Sequence, residues 1–101
     1  MPTYNLKFSN INLNKKDKLI IANIITSAHK ELTGANSYFA QVIFNKNNYA
    51  SHFIGGKMVK SKELFILGSG RSAKIKKKLA ETIRDRIIRK TKFKKDNIWI
   101  Y

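Results

Sequence analysis

Tyr4, Leu6 and Phe8 alternate with Thr3, Asn5 and Lys7 near the start of the chain, which predicts a strand over residues 2–9 with one apolar side. The period then lengthens. Ile21, Ile24, Ile25, Ala28 and Leu32 recur at helical spacing. Asn14 offers that helix an N-cap, Asp17 three residues on complements the helix dipole, and Gly34 supplies a C-terminal stop. Ser37 to Phe44 is apolar on both faces and bounded by Asn-rich sequence, which predicts a buried strand lying between two others. Asn45 to Ser61 reads as a polar connection holding a short strand or hairpin at Phe53-Ile54-Gly55-Gly56. Glu63 to Leu67 predicts a third main strand. Ile75, Leu79, Ile83 and Ile87 repeat every fourth residue, the mark of a second amphipathic helix, entered through Gly68-Ser69-Gly70-Arg71-Ser72. Asn97 to Tyr101 predicts a closing strand.

The order is β-α-β followed by β-α-β, over about residues 2–45 and 62–101, which suggests an internal duplication within one domain. Two right-handed crossover units can form a four-stranded sheet with both helices on one face, an α+β fold that satisfies the connection rules. The second face of such a sheet has nothing in a chain of 101 residues to cover it. Strands apolar on both sides therefore predict self-association, most simply as a closed cyclic oligomer.

Composition removes several function classes. Cysteine is absent, so disulfides, thiolate metal sites and cysteine nucleophiles are excluded. His29 and His52 lie too far apart for a local metal motif and only six carboxylates are present, so neither a metal nor another cofactor is expected. The longest apolar stretches fall well short of the ~20 residues that cross a bilayer, and no signal-peptide pattern precedes them. A cytoplasmic protein without a membrane partner is expected. The formal net charge is +15, and fifteen of the 21 basic residues fall between Lys57 and Lys95. Such a field attracts nucleic acid, and it equally attracts small acidic molecules. The abundance of Lys, Asn and Ile also matches an AT-rich coding sequence, and a charge run is more often a solvated face than a binding site.

Four features can carry chemistry. Once Met1 is trimmed, as is usual before a small residue, Pro2 presents a secondary amine at the end of the first strand. Burial and neighbouring cations bring the pKa of such an amine towards working pH, where it serves as a general base or acid. Gly68-Ser69-Gly70-Arg71-Ser72 opens a helix, where backbone N–H groups and an arginine fork suit a carboxylate; a solvated strand-to-helix turn is the plain alternative. It is not a P-loop, because the required glycine and lysine spacing is missing. His29, at the margin of the first helix's apolar face, is either a half-buried structural residue or a donor to an acidic ligand. Tyr101 either packs on a neighbour or orients a substrate.

Taken together, Pro2, Ala28-His29-Lys30-Glu31-Leu32-Thr33-Gly34, Ala40-Gln41-Val42-Ile43-Phe44, Phe53-Ile54-Gly55-Gly56, Gly70-Arg71-Ser72-Ala73 and Ile98-Trp99-Ile100-Tyr101 resemble the tautomerase superfamily. Within it they are most similar to the branch containing cis-3-chloroacrylic acid dehalogenase, in register from Pro2 to Tyr101. The resemblance implies a homotrimer of subunits each built from two β-α-β units. It implies that Pro2 is the catalytic acid or base, that Arg71 binds the substrate carboxylate, that His29 assists and that Tyr101 lines the site.

Two departures bear on the reaction. The dehalogenase pattern has a second arginine three residues before the one matched by Arg71, and Gly68 stands there. It also has a water-activating glutamate beyond the tyrosine matched by Tyr101, where the given residues end. Without these groups, cis-3-haloacrylate hydrolysis is the weaker expectation and keto–enol tautomerisation of a 2-oxo acid, enol or dienol carboxylate the stronger. The same element order also describes RNA-recognition domains, but their Lys/Arg-Gly-aromatic motif is missing, so a basic nucleic-acid-binding module is not favoured.

Overall fold

The computed structural model describes residues 3–34, 40–68 and 73–101. The first strand, β1, covers Thr3–Ser9 and buries Tyr4, Leu6 and Phe8 while Asn5 and Lys7 stay exposed. Helix α1 covers Lys15–Thr33. Its start is a reciprocal capping box: the Asn14 side chain accepts from the Asp17 N–H at 2.8 Å, and the Asp17 carboxylate accepts from the Asn14 N–H. A cap of this kind stabilises a helix by about 1 kcal/mol. At the other end Gly34 takes the left-handed conformation, φ 72°, and its N–H reaches the Lys30 carbonyl at 2.9 Å. That geometry costs glycine nothing and a residue with a Cβ something.

Strand β2 covers Gln41–Lys46, and a two-stranded hairpin follows, β3 at Phe53–Ile54 and β4 at Lys57–Met58, turned by Gly55 and Gly56 at positive φ. Strand β5 is Glu63–Leu67, helix α2 is Ala73–Lys90, and strand β6 is Ile98–Ile100. The main sheet has the order β2-β1-β5-β6. β1 runs parallel to β2, β5 runs parallel to β6, and the two pairs meet antiparallel across β1 and β5. Each parallel pair is joined through a helix. Leu6, Leu64, Ile66 and Ile98 from the sheet meet Ile21, Ile25, Ile83 and Ile87 from the helices in one buried cluster, so both helices cover the same face.

Two expectations change. The strand predicted over Ser37 to Phe44 is described from Gln41 onwards, residues 35–39 lie outside the described part, and β2 is not flanked on both sides. Among the described residues it is outermost, with one edge paired to β1. Val42 and Phe44 pack against the core, while Ile43 is left exposed on the other face. The closing strand is also shorter than Asn97 to Tyr101: residues 95–97 form one 3₁₀ turn. Ladder bonds nonetheless reach past β6, since the Tyr101 N–H donates to the Ile66 carbonyl at 2.9 Å and the Gly68 N–H to the Tyr101 carbonyl at 2.8 Å.

The uncovered face of the sheet is mixed. Asn5 and Lys7 are polar, whereas Ile43, Leu67 and Tyr101 are exposed, and Phe65 and Trp99 are half-buried. No described helix is long and apolar enough to cross a membrane.

Candidate active site

Strand direction decides which residues can meet. Because β1 and β2 run opposite to β5 and β6, the beginning of β1 lies beside the end of β5 and the residue that follows β6. Tyr4, Gly68 and Tyr101 therefore come together at one end of the sheet. The C-terminal part of α1 reaches the same end from the helical face and contributes His29.

His29 is 1% exposed, deeper than its place at the margin of the apolar stripe predicts. Its Nδ1 lies 2.8 Å from the Tyr4 hydroxyl, and the two rings meet edge to face with centroids 5.8 Å apart. A buried imidazole needs its polar atoms matched, and Tyr4 supplies one such match from the start of β1. The imidazole tautomer decides the direction of this bond: a hydroxyl that donates to Nδ1 goes with a proton on Nε2, and an Nδ1–H donates to the hydroxyl oxygen. The peptide carbonyl of His29 in turn accepts from the Thr33 hydroxyl at 2.6 Å, which ties down the last turn of α1.

Gly68 closes this corner. A Cβ at that position would lie 3.1 Å from Cε1 and 3.4 Å from Cδ1 of Tyr4, and 3.7 Å from the Tyr101 carbonyl oxygen. The first distance is shorter than ordinary carbon–carbon contact, so any side chain at 68 obliges the Tyr4 ring to give way by a few tenths of an ångström. Next to Gly68 a cavity of about 250 Å³ opens between α2 and the end of the sheet. Leu79, Ala80, Ile83 and Ile100 form its apolar walls, with Lys76 and Lys77 also among its lining.

Of the four residues singled out from sequence, Pro2 and Arg71 lie outside the described residues. The other two do not come together. The side chain of Tyr101 is 65% exposed and stacks on Phe65, with centroids 5.0 Å apart and planes 24° from parallel. Phe65 alternates with buried Leu64 and Ile66, so this stack sits on the uncovered face while His29 sits under the helices. Tyr101 nonetheless borders the cavity beside Gly68, and its carbonyl accepts from the Gly68 N–H. Tyr4 is the residue that sequence reasoning passed over, since its place in an alternating strand marks it as core and nothing in the pattern marks its hydroxyl. Among the described residues, no group of three or more His, Cys, Asp or Glu side chains is placed to hold a metal ion.

Comparison with known proteins gives one family match, over residues 1–96, to Tautomerase_3, described as "Putative oxalocrotonate tautomerase enzyme". No curated protein matches the chain. Solved structures share the fold. A crystal structure of N1, a member of the cis-3-chloroacrylic acid dehalogenase family, superposes with TM-score 0.85 at 24% identity, covering 98% of this chain and 71% of that one. A fused 4-OT wild type symmetric trimer gives 0.78 at 12% identity over 97% of this chain and 80% of that one. The macrophage migration inhibitory factor-like protein of Entamoeba histolytica gives 0.76 at 19% identity, covering 99% and 84% respectively.

Proposed function

The chain belongs to the Tautomerase_3 family, and on that footing we propose that it is a tautomerase whose Pro2 amine moves a proton between the oxygen and the adjacent carbon of a 2-oxo acid, enol or dienol carboxylate. The observation that carries the reading is the family match through Pro2 together with the corner where β1 begins. Thr3, the residue joined to Pro2, starts the strand whose next residue holds His29. In this reading the neutral secondary amine takes the enol hydroxyl proton, leaving an enolate. The resulting ammonium delivers that proton to the neighbouring carbon, and the amine is regenerated. A single positioned acid–base group suffices, provided the substrate is held in line with it.

Arg71 is assigned the substrate carboxylate, for which its planar fork is matched. His29, oriented by Tyr4, donates from Nε2 to the same substrate. Tyr101 serves the uncovered face of the sheet, where it and the exposed Ile43 and Leu67 favour contact between copies, and a homotrimer is the assembly this reading adopts. Hydrolytic dehalogenation is the second reading. It is disfavoured by Gly68, which supplies no cation and whose surroundings are filled by the Tyr4 ring.

The test is ultraviolet monitoring of phenylenolpyruvate ketonisation by protein whose loss of Met1 is established by intact mass. Replacement of Pro2→Ala is expected to lower kcat at least ~100-fold, the scale of a removed acid–base group. Unchanged turnover in the variant would remove Pro2 from the mechanism. If the trimmed protein shows no turnover but binds RNA with steep salt dependence, the nucleic-acid reading replaces this one.

A further inference from the structure

One exposed lysine borders the apolar stripe of α2. Leu79, Ile83 and Ile87 are buried at successive fourth positions, and Ala80 is half-buried beside them. Lys76 precedes Leu79 by three residues, Ala80 by four and Ile83 by seven, so it stands beside half-buried Ile75 on the side of the helix that carries the apolar repeat. No carboxylate pairs with it among the described residues. Its exposed side chain instead lines the cavity beside Gly68.

Size and chemistry limit what this cavity accepts. Its volume of about 250 Å³ exceeds the ~150 Å³ known to admit one benzene ring, and it lies below the ~300 Å³ at which pockets begin to hold drug-sized ligands. Leu79, Ala80, Ile83 and Ile100 offer no hydrogen bonds from their side chains. A lysine can lay its stem along such a wall and keep its ammonium at the opening. The occupant that satisfies both parts is small and amphipathic, an apolar group ending in a carboxylate. Gly68 borders the cavity and also lies against the Tyr4 ring, which pairs with His29.

We propose that this cavity is the side-chain subsite of the substrate, that it takes the aryl or branched-alkyl substituent of a 2-oxo acid or its enol, and that Lys76 holds the carboxylate in place of the cation missing at Gly68. The assignment of the ligand as substrate rests on the tautomerase reading; its chemical class rests on the cavity alone.

Three probes that need no turnover separate the parts: 3-phenylpropanoate carries ring and charge, propanoate the charge alone, and 3-phenylpropan-1-ol the ring alone. By titration calorimetry the first is expected to bind at least ~10-fold more tightly than either of the others, as burial of one ring implies. It should shift the backbone amide resonances of Gly68 and of residues 76–83. Lys76→Glu is expected to weaken 3-phenylpropanoate at least ~10-fold and Lys76→Arg to restore it. Ala80→Leu, which fills the slot, should weaken the ring-bearing probes and spare propanoate. Circular dichroism of these variants, expected to match wild type, separates binding from folding. In turnover, Lys76→Glu should raise KM for phenylenolpyruvate with kcat nearly kept. Equal binding of 3-phenylpropanoate by wild type and Lys76→Glu, or shifts confined to another part of the chain, would overturn the subsite. Should that happen while Pro2-dependent ketonisation persists, the tautomerase reading stands without it. Binding as expected with no ketonisation would support the cavity's ligand class and sink the tautomerase reading instead.

Discussion

β1 carries a hydroxyl–histidine pair near each of its ends, both at 2.8 Å: Tyr4 with His29, and Ser9 with His52. The local geometry is alike and the surroundings are opposite. At the Ser9 end the polar groups are tied to one another. The Ser9 hydroxyl also accepts from Asn47 at 2.8 Å, and Asn10 donates to the Val59 and Ser61 carbonyls at 2.9 Å each. Nearby, the buried Glu63 carboxylate accepts from Ser61, Asn97 and the Trp99 indole. These bonds fasten the long connection of residues 45–61 and the last strand to the sheet. At the Tyr4 end the pair stands beside a glycine and a cavity. The comparison teaches that a histidine bonded to a hydroxyl is not in itself a sign of chemistry. Cavities border both ends, one lined by Asn10 and Asn47 and one by Gly68, so what makes the Tyr4 pair the candidate for substrate is its place at the start of β1, two residues from Pro2.

Breaking the structural end should cost stability and leave chemistry alone. The largest effect is expected from Glu63→Ala, which strands three donors in a nearly buried position. About 3 kcal/mol of unfolding free energy should be lost in a denaturant titration, with kcat/KM unchanged at temperatures where the protein remains folded. A loss below about 0.5 kcal/mol would mean that water replaces the carboxylate and that this end is not a clamp.

The two histidine-bonded hydroxyls of β1 give the next contrast. Tyr4→Phe keeps the ring and removes the bond to His29; about 1 kcal/mol of stability and a five- to tenfold fall in kcat/KM for phenylenolpyruvate are expected together. Ser9→Ala should cost about as much stability without altering turnover. Equal kinetic effects of both would erase the distinction between the ends. The smallest expected change is that of Gly68→Ala. One methyl group displaces the Tyr4 ring by a few tenths of an ångström, and a two- to threefold loss of kcat/KM would mark how closely His29 depends on that ring. Stability should move by less than about 1 kcal/mol, because the ring can give way.

Several elements were legible because their determinants are local. Asn14 and Asp17 announce α1, Gly34 ends it, and Gly55-Gly56 turn the hairpin; each acts within a few residues of itself. The depth of His29 was not legible. Its position in the helical repeat places it at the edge of the apolar stripe, and only the approach of β1, with Tyr4, encloses it. The same holds for β2, whose two-sided apolar pattern resembles that of an interior strand although it lies at the edge. Lys76 left a signal that could have been read, a cation one turn before Leu79 and Ala80 on the side of α2 that carries the apolar repeat.

The amino-acid sequence by itself determined the element order, the caps and the apolar sides of the strands and helices, and it singled out Pro2, Arg71, His29 and Tyr101 as candidates. Those properties follow from backbone preference and burial, which act along the chain. What only the tertiary structure decided is which side chains share a space. Tyr4 meets His29 across 25 positions, Gly68 meets Tyr4, and Tyr101 turns its ring to the opposite face of the sheet from His29. Such meetings depend on strand direction and pairing register, and these emerge when distant segments of the chain bury a common core.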